Sequence, residues 1–163
     1  KFTTSLDISS WDFSACTTLL AFARKLYGTT SVTFSNLSSS CTTFKQLCYQ
    51  NSDIQTIIFD SSCNLSGVTT WQQACHQATG LTTLTFDAGA SFAAVTTFSQ
   101  GFTDAPLTVV SYDNFLIRAA ATNTNAVTFY ANLASMTCAP SAAATAETTL
   151  LAAGWTITDA ACT

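Results

Sequence analysis

Residues 68–89 read VTTWQQACHQATGLTTLTFDAG, and twenty-seven residues after the first valine the chain repeats the phrase as VTTFSQGFTDAPLTVVSYDN, residues 95–114. Both stretches carry Val-Thr-Thr-aromatic, a short run with helical spacing, and then Leu-x-x-apolar-x-aromatic. In Leu81-x-x-Leu84-x-Phe86, residues 84 and 86 alternate with Thr83 and Thr85. Alternation of this kind puts one pair on the buried face of a strand and the other on the solvent face.

The phrase has a period. Strand-like triplets end at Ile8, Phe34, Phe59, Phe86 and Tyr112, with steps of 26, 25, 27 and 26 residues. Two looser copies end at Phe129 and Ile157, after steps of 17 and 28. The second phrase keeps the same beat, starting at Cys16, Cys41, Val68 and Val95. A fixed period in this range marks a repeat architecture. One strand with one helix cannot bury its apolar face alone, whereas stacked copies share a continuous core.

The expected fold is therefore an α/β repeat solenoid, leucine-rich-repeat-like, with a parallel sheet on one face and short helices on the other. It forms one domain over residues 1–163, with repeats at about 1–28, 29–53, 54–80 and 81–106 and a C-terminal cap over 107–163. Six to seven parallel strands are expected, burying Leu6, Val32, Phe34, Ile57, Phe59, Leu84, Phe86 and Val110. A threonine of each Thr-Thr pair is expected to cap a helix through its hydroxyl. Phe98 with Phe102, and Phe44 with Leu47 and Cys48, then share a helical face.

The first unit, LDISSWDFSACTTLLAFARKL, resembles the repeat of the BspA-like leucine-rich-repeat surface proteins, whose units read L-D-L-S-x-W/F-D-x-S-x-V-T-x-M/L before a short helix. YDNFLIRAAATNTNAVTF and AAATAETTLLAAGWTITDAACT are similar to the closing segment that follows such repeats. In that segment Tyr-Asp opens a helix and Gly-Trp-Thr-Ile-Thr-Asp forms the last strand. The resemblance spans nearly the whole chain. It implies binding or adhesion without catalysis, on a cell surface or in a phage tail fibre, and carries no fixed set of binding residues. The cysteines and the short unit before Phe129 depart from the pattern.

Composition narrows the partners. Charged residues make up 9% of the 163 residues, against about a quarter in ordinary domains. The net charge of −4 leaves no basic patch to neutralise phosphates, so nucleic acid is not an expected partner. No apolar run reaches the ~18 residues of a membrane span. So little charge gives weak colloidal repulsion, which suits an assembly or a surface.

No cofactor and no catalysis are expected. His76 is the sole histidine and follows Cys75 directly. On a helix the two side chains diverge and cannot form a nucleophile–base pair; a polar surface histidine is the plainer reading. Glu147, the single glutamate, has no aspartate evidently opposite it for glycoside hydrolysis. No G-x-S-x-G elbow, P-loop or H-E-x-x-H motif occurs.

Seven cysteines remain: Cys16, Cys41, Cys48, Cys63, Cys75, Cys138 and Cys162. Cys16 and Cys41 share a slot in adjacent repeats, as do Cys48 and Cys75, either as small buried apolar residues or as bridges between repeats. Cys138 and Cys162 flank the closing helix and strand, and a disulfide there would staple the cap. Cys63 is then the odd thiol, free or intermolecular. An oxidising setting follows: extracellular, cell surface or virion.

The solvent side of the sheet is the expected binding face, with Thr33, Ile58, Thr83, Thr85, Ser111 and Thr128 on it. Asp60, Asp87 and Asp113 share the slot after the aromatic; they cap local turns or, stacked, hold Ca²⁺. Asn36-Leu37-Ser38 and Asn64-Leu65-Ser66 are glycosylation sequons. Two functions are expected of such a chain. One is a recognition or adhesion module that binds a protein or glycan. The other is a structural subunit that stacks with copies of itself into a filament, fibre or virion, favoured by the lack of a capping helix before KFTTSL. Ice binding by the threonine array is a minor third.

Overall fold

The computed structural model describes residue 8, residues 11–87 and residues 90–163. It is a small α/β protein with short parallel strands and two helices. Strands β1 (Ser31–Phe34), β2 (Thr56–Phe59) and β3 (Thr83–Phe86) form a parallel sheet in that order. Its register puts Phe34 opposite Phe59 and Phe59 opposite Phe86. In-register parallel pairing brings like residues one strand spacing apart. The three rings accordingly stack, with centroids 5.1 and 5.3 Å apart. Val32, Ile57 and Leu84 are buried beside them, as the alternation requires. The expected first strand, with Leu6, lies outside the described residues, although Ile8 is buried.

The expected short helices do not form. The segments after each Thr-Thr pair are successions of turns. Alternate N–H groups donate across to the next segment: Leu19 to the Thr43 carbonyl (2.9 Å), Ala21 to Lys45 (3.0 Å), Ala23 to Leu47 (2.7 Å) and Lys25 to Tyr49 (3.1 Å). The intervening groups turn back, Phe22 to the Leu19 carbonyl and Arg24 to that of Ala21. The same rule runs from residues 44–50 to 70–76 and from residues 71–77 to 97–103. Every fourth residue takes a left-handed φ: Ala21 and Lys25, Gln46 and Gln50, Gln73 and Gln77, Gln100 and Asp104. A four-residue turn imitates the 3.6-residue helical period, which is why Phe44, Leu47 and Cys48 are all buried without a helix. The Thr-Thr pairs are not helix caps either. Thr18, Thr43, Thr70 and Thr97 bridge in parallel, and the Thr42 and Thr69 hydroxyls donate to the Thr17 and Thr42 carbonyls.

The fifth phrase is also different. Residues expected as a strand ending at Tyr112 begin helix α1 (Val109–Thr122), capped by Thr108. Val110, expected inside, is 70% exposed, and Ser111, expected on the solvent face, is buried. Val110 sits on the outer face of α1, while Ser111 turns to the edge of β3 and accepts a hydrogen bond from the Leu84 N–H (3.2 Å). The Thr108 N–H donates to the Thr82 carbonyl (2.9 Å). The helix thus satisfies the edge of β3 that another strand would have occupied.

The closing strands β4 (Thr128–Ala131) and β5 (Thr156–Asp159) form a separate parallel pair. Phe98 bridges Phe129, so β4 continues the turn side, not the sheet of β1–β3. This moves Thr128 off the expected binding face, and five strands in two sheets stand among the described residues. Helix α2 (Ala142–Ala152), capped by Ser141, packs on α1. Gly154, at φ 91°, turns α2 into β5, a left-handed position that costs glycine little. Cys138 and Cys162 are joined in a disulfide, Cα atoms 5.0 Å apart, as their places around the cap predict.

Candidate functional site

Two surfaces carry chemistry. On the sheet, Thr33, Ile58 and Thr85 stand in one register row and Ser31, Thr56 and Thr83 in another. All are partly exposed. Parallel strands ~4.8 Å apart make these rows flat and regularly spaced. Ile58 interrupts the hydroxyls at the centre. Ser111 and Thr128 stand elsewhere, as described above.

The acidic slot beside this sheet does not gather. Asp60 accepts hydrogen bonds from the Ser62 N–H (2.9 Å) and from the Ser35 and Ser62 hydroxyls (both 2.5 Å). Burial opposes its charge, but these donors outweigh burial and hold the carboxyl below the usual range. Asp60 is therefore a turn cap, the plainer of the two expectations. Asp113 lies on α1 and accepts from the Thr137 N–H (2.9 Å) and hydroxyl (2.6 Å). Asp87 remains at the end of β3. No three acidic, histidine or cysteine side chains among the described residues gather where they could hold a metal ion.

The turn face is the surface that sequence reasoning missed. Arg24 lies over the Tyr49 ring, 5.1 Å from its centroid, and Tyr49 stacks on His76 at 5.4 Å. Residues 24, 49, 76 and 103 occupy equivalent places in successive segments. Two amide ladders run with this column. The Gln46 Nε2 donates to Gln73 Oε1 (3.0 Å), and Gln73 Nε2 donates to Gln100 Oε1 (2.9 Å). Gln50 Nε2 donates to Gln77 Oε1 (2.9 Å). Stacked amides of this kind gain hydrogen bonds along the stacking direction. The signal was present: KQLCYQ, QQACHQ and SQGFTD occupy residues 45–50, 72–77 and 99–104, with glutamines recurring at the same slots. A helical reading scattered those slots around an outer surface. His76 lies on this face partly exposed, its ring stacked on Tyr49, and its Nδ1 is buried without a partner among the described residues.

The first ladder ends at a cleft of about 200 Å³ lined by Gln100, Thr103, Tyr130 and Asn132. Asn132 is fixed by Asp104: its Oδ1 accepts from the Asp104 N–H (2.9 Å), and its Nδ2 donates to Asp104 Oδ1 (3.2 Å).

Two acidic residues, Glu147 and Asp159, influence each other at the cap. The buried Tyr112 hydroxyl donates to Asp159 Oδ2 (2.8 Å). Burial raises the Asp159 carboxyl, against the lowering effect of that hydrogen bond. Glu147 is raised by burial and then by the Asp159 charge. Asp159 is thus the aspartate whose charge reaches Glu147, one that the sequence did not place, and one of its oxygens is held by a buried phenol.

The cysteines of the repeated slots are unbridged. Burial, then the neighbouring Cys16, pushes the Cys41 thiol up to about 12. Cys48 is raised by the hydrogen bond with Cys75 and by burial. Cys63, expected as a free or intermolecular thiol, is buried and donates to the Phe34 carbonyl (3.1 Å). Burial is the main cause that lifts it to about 11. Thiols held protonated are poor nucleophiles.

No helix of the described residues is long and apolar enough to cross a membrane. Comparison with protein-family models, with curated proteins and with solved structures returns no match.

Proposed function

We infer that this chain is a leucine-rich-repeat-like solenoid, of the kind found in BspA-like surface proteins, that serves as a non-catalytic recognition or adhesion module. It works outside the cell, on a cell surface or on a virion, and binds a protein or glycan. The observation that carries this reading is the pair of polar faces held flat by ladders. One is the hydroxyl rows of β1–β3, and the other is the amide and aromatic columns of the turn side. A binding surface gains affinity from side chains ordered before the ligand arrives. The raised thiols, the turn-capping Asp60 and the phenol-bound Asp159 are structural uses of groups that catalysis would need free. The Cys138–Cys162 bridge fits an oxidising compartment. Glycan-array and pull-down binding test the reading. Binding abolished by changes on either face supports it, and turnover of any bound glycan or peptide overturns it.

The second reading is a structural subunit that assembles with its own copies. Exposed Trp11, Leu20 and Tyr27, all before β1, favour it. Size-exclusion at several concentrations separates the two: a mass that grows with concentration supports assembly, and a constant monomer rejects it. Ice binding has less support, because Ile58 breaks the hydroxyl row.

A further inference from the structure

We propose that the cleft at the end of the glutamine ladder is a binding subsite for one neutral pyranose ring, a proposal that rests on the recognition reading above. The ladder supplies the first part of the argument. Gln73 gives its Nε2 to Gln100 Oε1 (2.9 Å), which ties down the Gln100 amide, and the Gln100 Nε2 makes no hydrogen bond of its own among the described residues. The preceding glutamines spend that donor on the next glutamine. At Gln100 no further glutamine follows, and the side chain lines the cleft instead. An ordered donor with no rung to accept it is built to meet an acceptor from outside.

The other walls define the ligand. Tyr130, 37% exposed on β4, is the aromatic residue among those lining the cleft. Asn132 is locked by its reciprocal bonds to Asp104, leaving its second amide hydrogen available. Thr103 adds a hydroxyl. An apolar ring face beside a fan of fixed donors and acceptors matches a pyranose, whose one face is C–H and whose rim is hydroxyl. The volume of about 200 Å³ is below the range of ~300–1,000 Å³ for drug-sized ligands and suits a single ring. The Asp104 carboxylate and the net charge of −4 disfavour acidic sugars.

The test is nuclear magnetic resonance on the isotope-labelled full chain. It is titrated to millimolar concentration with the methyl pyranosides of glucose, galactose, mannose and N-acetylglucosamine. At least one is expected to shift the side-chain amide signals of Gln100 and Asn132. Tyr130→Ala and Gln100→Leu should each weaken that binding about tenfold, through loss of the stacking ring and of the hydrogen bond. Tyr130→Phe should stay within about threefold, because the ring is kept. Gln100→Leu leaves β4 untouched, so the test survives a fold defect in Tyr130→Ala. Shifts confined to Thr33, Ile58 and Thr85 would overturn the cleft and leave the recognition reading standing. No shift with any of the four sugars, or binding unchanged in folded Gln100→Leu, also overturns it; a protein ligand found by pull-down would still sustain the wider reading.

Discussion

Phe86 lies against Phe59 at 5.3 Å and Phe92 at 5.1 Å, inside the sheet, while Thr85 faces solvent beside Ile58. Phe86→Ala removes a buried ring and leaves a cavity, so it should cost about 3–5 kcal/mol. Thr85→Ala should cost less than ~1 kcal/mol; urea denaturation of both variants checks the contrast. Ser111→Ala probes another kind of loss. It strands the buried Leu84 N–H and should cost about 1–3 kcal/mol, more than its small volume would suggest. Glu147 gives a pH-dependent test. Its folded-state value is raised by burial and by Asp159 above the ordinary 4.5, so its contribution favours folding below 4.5 and is lost as pH rises through the folded value. Glu147→Gln should therefore raise Tm relative to the parent at neutral pH, and the gain should vanish as pH falls to 4.5. A gain that persists at acid pH would show that charge is not its cause.

At the scale of the element, the turn ladders trade local strain for bonds between segments. A left-handed φ costs a residue with a Cβ about 1–2 kcal/mol. Lys25 bears it at φ 54° with no amide ladder in return. Lys25→Gly should stabilise the protein by roughly 0.5 kcal/mol, the relief being partly offset by the freer unfolded chain. Gln73, also at φ 54°, makes a ladder bond on each side. Gln73→Gly should lose about 1 kcal/mol or more, since two hydrogen bonds outweigh the relieved strain. Thermal melts of the two variants should move in opposite directions. These elements also mark how far the sequence could be read. The recurring triplets VTF, IIF and LTF gave β1–β3 and their buried residues, because apolar residues two apart, repeated at steps of 25 and 27 residues, give each strand the same buried face. The run from Trp71 to Ala78 has a period near four, which a helix and a four-residue turn share. Hydrogen bonding to the neighbouring segment decided between them, and that is a property of the stack and not of any single run. Tyr112 misled through alternation itself: VSY has the two-residue spacing of a strand, but the capping Thr108 and the long run to Thr122 make a helix.

At the scale of the whole molecule, the cap was the better-read half of the candidate sites. Cys138 and Cys162 were legible because they bracket one helix and one strand. The cleft was not, because Gln100 and Tyr130 come from segments whose pairing depends on the bridge between Phe98 and Phe129. The disulfide spans 24 residues and ties down β5, which among the described residues pairs with β4 alone. Closing a loop of that order stabilises by about 3 kcal/mol in the chain-entropy model. Replacing both cysteines with serine should remove about that much and should speed hydrogen exchange in β5 before β1–β3. Exchange that rises uniformly along the chain would show that the bridge guards the whole fold.

The seal that α1 places on β3 also bears on how such a chain can change length over evolutionary time. Ser111 and Thr108 fit one particular edge, that of Leu84 and Thr82. A duplicated unit spliced between Asp60 and Thr83 would meet neighbours like those already present and would leave the seal intact. The same unit added after Leu107 would part helix from strand and expose both. The sheet is open to growth by internal duplication and closed to growth past the edge that α1 covers, so longer descendants should carry their new units ahead of an unaltered junction between β3 and α1.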